Sequence, residues 1–215
     1  MQLVIANKAY SSWSLRPWLV ARHFGIPFEE VQVLLDQPDT SEQIRKYSPS
    51  GRVPCLIDGD TAIWESLAII EYLAESAADK AIWPEDRQAR AVARAISCEM
   101  HAGFQALRSA CPMNLKKRFA YRDWGRPAAE DALRIVDLWR DARSRFGAGG
   151  PFLFGAFSAA DAMYAPVVTR FDTYGWPVEP DTRSYMDAVL ALPAFVEWRA
   201  VAEKEPWIVP SDEIE

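Results

Sequence analysis

Glu65 and Ser66 stand at the start of a helical pattern, which gathers a carboxylate, a hydroxyl and the positive end of a helix in one place. The hydroxyl and the N–H groups after it can hold a ligand carboxylate, while Glu65 can hold an ammonium. An α-amino acid head group makes both demands. The same pair also suits ordinary helix capping, since Ser is favoured at the N-cap and Glu complements the helix dipole. Upstream lies Val53-Pro54, a proline at a strand entry, where it removes a donor only at an edge. A cis bond there would turn the Val53 amide and carbonyl outward, to pair with a peptide ligand as an added strand would. The dipeptide alone does not specify cis geometry.

Ser11-Ser12-Trp13-Ser14 follows the first strand. Ser14 is expected to cap the next helix, leaving Ser11 and Ser12 free to point at a ligand. No His or Asp is placed to make either serine a nucleophile. A hydroxyl here is better suited to donate to a bound thiolate. Lowering a thiol pKa by about two pH units takes about 2.7 kcal/mol, which a hydroxyl donor and a helix dipole can supply together. Cys55, Cys98 and Cys111 are widely separated and His23 and His101 stand alone, so no metal-ligand spacing appears and no metal is expected. An odd cysteine count without pairing logic fits a reducing cytoplasm.

The elements that must position these groups can be read along the chain. Leu3 to Ala6 suits a buried strand, Leu15 to Phe24 a helix ended by Gly25, and Val31 to Leu35 a second strand. A short helix is expected over Ser41 to Lys46. An Asp58-Gly59 hairpin and a helix from Ser66 to about Ser76 complete a βαβ-α-ββα unit over residues 1–78. Residues 79–87, with Trp83-Pro84-Glu85-Asp86, read as a linker. From Asp86 to about Ala110 apolar residues recur at three- and four-residue steps, predicting one long helix, and Ala128 to Phe146 predicts another. Ser158-Ala159-Ala160-Asp161 is a capping-box variant before a further helix, and two more fit Arg183–Leu192 and Pro193–Lys204. The fold class is therefore an α/β N-terminal domain followed by an all-α domain over residues 88–215.

The 215 residues are half apolar, with 24 basic against 30 acidic side chains and a net charge of −6. That balance gives no basic face for nucleic acid. No apolar run reaches the length of a membrane span, and the first residues enter a strand without the regions of a signal peptide.

Ser11-Ser12-Trp13-Ser14-Leu15-Arg16, the Ser48-Pro49 to Val53-Pro54 segment, Glu65-Ser66-Leu67-Ala68-Ile69 and Ser158-Ala159-Ala160-Asp161 occur in one order and spacing. Taken together they make the chain similar to the cytosolic glutathione S-transferases, serine-type and closest to a bacterial zeta-like branch, across nearly its full length. The resemblance implies a thioredoxin-like first domain that holds glutathione, a helical second domain, a homodimer, a cytoplasmic setting and a role in detoxification. Residue by residue, it makes Val53 the backbone clamp beside a cis Pro54, assigns the γ-glutamyl head to Glu65 and Ser66, and puts Arg52 near the glycyl end. The activating serine falls on Ser11, with Ser12 as the near alternative. Trp13 departs from the family's pattern, since zeta- and beta-class relatives carry a cysteine there, and mixed-disulfide chemistry at position 13 is thereby excluded.

The resemblance also puts the second substrate between the domains. Trp13, Met100, His101, Phe104 and the Cys111-Pro112-Met113-Asn114 stretch are its candidate lining, although helix core accounts equally well for Met100 and Phe104. Aromatic side chains near the site suggest a small apolar electrophile. The expected activity is transfer of glutathione to that electrophile. A non-catalytic glutathione or apolar-ligand binder, or a glutathione-dependent isomerase or peroxidase, would share the fold.

Overall fold

A computed structural model describes residues 1–214. Four short strands, β1 (Gln2–Ile5), β2 (Glu29–Gln32), β3 (Cys55–Asp58) and β4 (Thr61–Trp64), form one sheet in the order β2-β1-β3-β4. β1 runs parallel to β2 and antiparallel to β3, and β3 turns back into β4. Because side chains alternate along a strand, Leu3, Ile5 and Leu56 join the main core, while Val4 and Cys55 pack with Val33 and Ile44 in a separate small cluster. Helices α1 (Ser12–His23) and α3 (Ser66–Ser76) belong to the main core through Leu15, Leu19, Ile69, Ile70 and Leu73. Ile44, from α2 (Thr40–Arg45), serves the small cluster. Gly59 carries the hairpin turn at φ +55, a conformation costly for other residues.

The remainder is helical: α4 (Arg87–Ala102), α5 (Gln105–Ala110), α6 (Arg126–Phe146), α7 (Ala159–Thr173), α8 (Pro180–Leu190) and α9 (Pro193–Ala202). Asp86 caps α4 by accepting from the Ala89 amide at 2.7 Å. The segment before it is not an exposed tether, since Ile82 and Trp83 are buried and the Ile82 carbonyl accepts from the Ala159 amide. α7 is buried nearly all round, so it is the central post of the helical domain. The Asp161 carboxylate starts that helix by accepting from the Ser158 amide (2.8 Å), the Ser158 hydroxyl (3.0 Å) and the Leu153 amide (3.0 Å). Against its other side lies α1, whose buried Arg16 donates to the Met163 carbonyl at 3.0 Å.

Two local expectations are corrected. The long helix from Asp86 to Ala110 is broken at Gly103-Phe104, where Phe104 takes a left-handed backbone (φ 57, ψ 37) and α5 starts afresh. Ser14 does not cap α1. Ser11 does, accepting from the Ser14 amide at 3.4 Å, while the Ser14 hydroxyl is taken up by the Ala6 amide at 3.1 Å. Among the described residues no helix is long and apolar enough to cross a membrane, and no group of His, Cys, Asp and Glu could hold a metal ion.

Candidate active site

The β3–β4 hairpin delivers Glu65 and Ser66 to the start of α3. Glu65 is the N-cap at φ +69 and ψ 125, a positive-φ backbone that is strained for a residue with a Cβ. The Ser66 hydroxyl is buried, with no hydrogen-bond partner among the described residues. A buried hydroxyl left without a partner is costly, so a ligand acceptor is the natural complement. The Val53–Pro54 bond is cis, and neither the amide nor the carbonyl of Val53 is hydrogen-bonded among the described residues. These groups line a cavity of about 250 Å³ with Ser50, Arg52, Trp13, His101 and Arg108. His101 Nε2 lies 3.4 Å from a Glu65 carboxylate oxygen, and its ring meets Trp13 edge-on at 5.2 Å. Burial lowers the His101 pKa against the pull of Glu65, with Arg16 and Arg108 adding to the lowering.

A larger cavity of about 430 Å³ adjoins it, and Trp13, Arg52, Val53 and Arg108 line both. Ser11 and Ser12 open onto this second space from the start of α1. The Ser11 hydroxyl donates to Ser14 Oγ at 2.7 Å, whereas the Ser12 hydroxyl has no partner among the described residues. Opposite them stand Gln105, Arg108 and Ser109 of α5, then Pro112, Met113, Arg170 of α7 and Asp212.

The charge of this larger cavity is not what its aromatic residues suggest. Arg170 is buried, with two hydrogen bonds to the Cys111 and Pro166 carbonyls, at 2.8 and 3.1 Å. Burial, and then Arg108, bring its pKa down to about 10. Arg108 is likewise lowered by burial, and Arg16 is lowered by burial and by both other arginines. Arg16 and Arg108 both lie over the Trp13 ring, at 4.1 and 4.7 Å from its centroid. None of the three arginines has a salt-bridge partner among the described residues, and Arg16 Nη2 is buried without any partner. The lining guanidiniums of Arg52, Arg108 and Arg170 outnumber the one lining carboxylate, Asp212, whose charge acts on Arg170 without a salt bridge, so this space favours an anion.

The two cavities thus unite Ser11, Ser12, Trp13, Arg52, Val53, Pro54, Glu65 and Ser66. Met100 on α4 and Phe104 at the start of α5 are buried in the main core and line neither cavity. Pro112 and Met113 are lining residues; Cys111 and Asn114 are not. Arg108 and Arg170 escape a reading of the sequence because an arginine in a helical pattern ordinarily marks the solvent face.

A thioredoxin-like sheet whose cis-proline edge and helix start face a helical domain defines a class of glutathione-handling proteins. Residues 10–76 match the glutathione S-transferase N-terminal domain and residues 89–201 the C-terminal domain. The chain is 30% identical to the maleylacetoacetate isomerase of Rattus norvegicus over 86% of its own length and 85% of that protein's. Its identity to the Mus musculus protein of the same name is 36% over the same shares. The fold is also that of a glutathione transferase homologue from Burkholderia gl BGR1 solved with bound glutathione (TM-score 0.72, 23% identity, 95% of this chain and 98% of that one). The chain belongs to the glutathione S-transferase family, a family of glutathione-dependent enzymes.

Proposed function

We propose that this enzyme binds glutathione across the smaller cavity and uses its thiolate to attack an electrophile that carries a carboxylate. In this reading Glu65 and Ser66 hold the γ-glutamyl ammonium and carboxylate, the Val53 backbone pairs with the cysteinyl unit, and Arg52 takes the glycyl carboxylate. The unpartnered Ser66 hydroxyl and the free Val53 backbone support it.

The thiolate then lies at Ser11 and Ser12. The Ser14 hydroxyl proton has no acceptor while Ser11 donates to it. If Ser14 instead donates to Ser11, the Ser11 proton is freed for sulfur and both hydroxyls are satisfied. This reversal supports Ser11 as the activating donor, with Ser12 beside it. The thiolate adds to an unsaturated carbon of the substrate and its electron pair moves toward the substrate's carbonyl. Protonation of that carbanion leaves a glutathione conjugate. Expulsion of the thiolate after bond rotation leaves an isomer.

The observation that carries the choice of substrate is the arginine cluster. An apolar electrophile leaves Arg108 and Arg170 balanced only by Asp212, whereas an acidic one meets the excess positive charge. Likeness to proteins named maleylacetoacetate isomerase supports the isomerising outcome, in which glutathione is regenerated. Family membership further supports a cytoplasmic homodimer, which sedimentation would test.

The test has two parts. Titrating glutathione while following thiolate absorbance should show thiolate at neutral pH, and Ser11→Ala should remove most of it. An acidic cis-alkene should then turn over faster than its neutral ester. Absence of thiolate would leave only a binding protein, and preference for the ester would overturn the substrate assignment.

A further inference from the structure

We infer that Glu205, which lines neither cavity, is a positioning residue for thiol activation. The inference rests on the reading above that serines at the start of α1 hold the thiolate.

The serines are presented by a tight turn after β1. The Asn7 carbonyl accepts from the Tyr10 and Ser11 amides, at 3.2 and 2.8 Å, so Lys8 and Ala9 form the tip of that turn. Every backbone polar group at this tip is held from the helical domain. Glu205 Oε1 accepts from the Lys8 amide at 2.8 Å, and Oε2 accepts from the Ala9 amide at 3.0 Å. The Lys8 carbonyl accepts from Trp198 Nε1 at 2.9 Å, and the Ala9 carbonyl from the Leu115 amide at 3.1 Å. The turn therefore owes its place to groups outside its own domain.

Glu205 is the centre of this arrangement. It lies just past α9 and is only 6% exposed. Its third donor is Gln32 Nε2, at 2.6 Å. Among the described residues it has no cation within salt-bridge distance, because the nearby Lys8 ammonium is bound to Glu30 at 2.7 Å and lies over Trp18 and Trp198. Two adjacent amides converging on one buried carboxylate make a fork that only an acceptor at both oxygens satisfies. A catalytic donor must be held within about 0.5 Å of its working position, and the Ser11 amide is bonded to the same turn. Releasing the tip frees Ser11 to drift from the sulfur while leaving the γ-glutamyl contacts at Glu65 and Ser66 in place.

The test is Glu205→Gln, alone and with Ser11→Ala. The glutamine side chain can accept at one oxygen but sets an NH₂ against the other amide. The pH midpoint of the conjugation rate is expected to rise by about one unit, a roughly tenfold loss of rate at pH below it, with the glutathione Kd within about threefold of wild type. In the Ser11→Ala background the same substitution is expected to add almost nothing, since both act on one donor. A wild-type midpoint in Glu205→Gln, or additive shifts in the double variant, would overturn the inference. Should Glu205→Gln fail to fold, Trp198→Phe removes the donor to the Lys8 carbonyl, and the midpoint must move in the same direction or the inference falls. If neither Ser11→Ala nor Ser12→Ala moves the midpoint, the serine reading fails and this inference with it. If a serine variant moves it and Glu205→Gln does not, the inference alone fails.

Discussion

The substitution Asp161→Asn isolates one carboxylate oxygen in a fully buried setting. In the native protein Oδ2 accepts from the Ser158 amide and hydroxyl, and Oδ1 from the Leu153 amide. The better orientation of the substituted side chain puts its oxygen at the two-donor position, which sets its NH₂ against the Leu153 amide. One buried amide is then orphaned, at a cost of about 1–3 kcal/mol. The pH dependence separates this cost from generic damage. Burial raises the Asp161 pKa from 3.8 to about 6, outweighing the lowering by Leu153, Ser158 and Tyr185. A raised folded-state pKa contributes stability that is fully present below about 3.8 and is lost as pH rises through about 6. The whole gap is worth about 3 kcal/mol at 1.36 kcal/mol per pH unit. The carboxamide does not titrate, so the advantage of wild type over the variant should narrow by roughly 1–2 kcal/mol between about pH 5 and pH 8. Urea unfolding at the two pH values, with the m-value checked for two-state behaviour, measures it. A gap that widened with pH would refute the reasoning, because the donors around Asp161 would then outweigh burial.

Other outcomes follow from the site. Arg108→Gln should cut kcat/KM for an acidic electrophile by about 10- to 100-fold, the worth of one charge-assisted hydrogen bond, and leave its neutral ester nearly untouched; parallel steady-state assays decide. Ser66→Ala should weaken glutathione binding by about fivefold or more at unchanged thiolate pKa, read by calorimetry and absorbance together. Gly175→Ala should destabilise the fold by about 1–3 kcal/mol, since it forces φ +60 on alanine and brings a Cβ within 2.8 Å of the Tyr121 backbone nitrogen; thermal unfolding reads this.

Where local chemistry determines an element, the sequence is legible. Asp86, the Ser158–Asp161 pair and the Asp58-Gly59 turn each announce a boundary through a side chain bonding its own backbone or a glycine at positive φ. The start of α1 is ambiguous because Ser11, Ser12 and Ser14 offer competing caps within one turn, and the Ala6 amide decides among them. The break between α4 and α5 has a local sign in Gly103, which caps α4 where a Cβ would meet the Glu99 carbonyl at 2.8 Å, but the left-handed Phe104 that restarts the chain as α5 has none, because that backbone is disfavoured for phenylalanine. Met100 has the same helical spacing whether it faces a cleft or a core, so its placement needs the neighbouring helices. Of the candidate site, the residues proposed to face glutathione are readable because they cluster on one hairpin and one helix start. The arginine cluster is not, because Arg16, Arg108 and Arg170 meet only in three dimensions.

The long span between Lys8 and Glu205 has a consequence for biosynthesis. The first domain leaves the ribosome with its sheet and serines complete while the carboxylate that fixes their turn has yet to be translated. On the inference above, a chain released before Glu205 would present its serines on a turn whose Lys8 and Ala9 amides lack their acceptor, so the order of residues sets presentation first and fixation later.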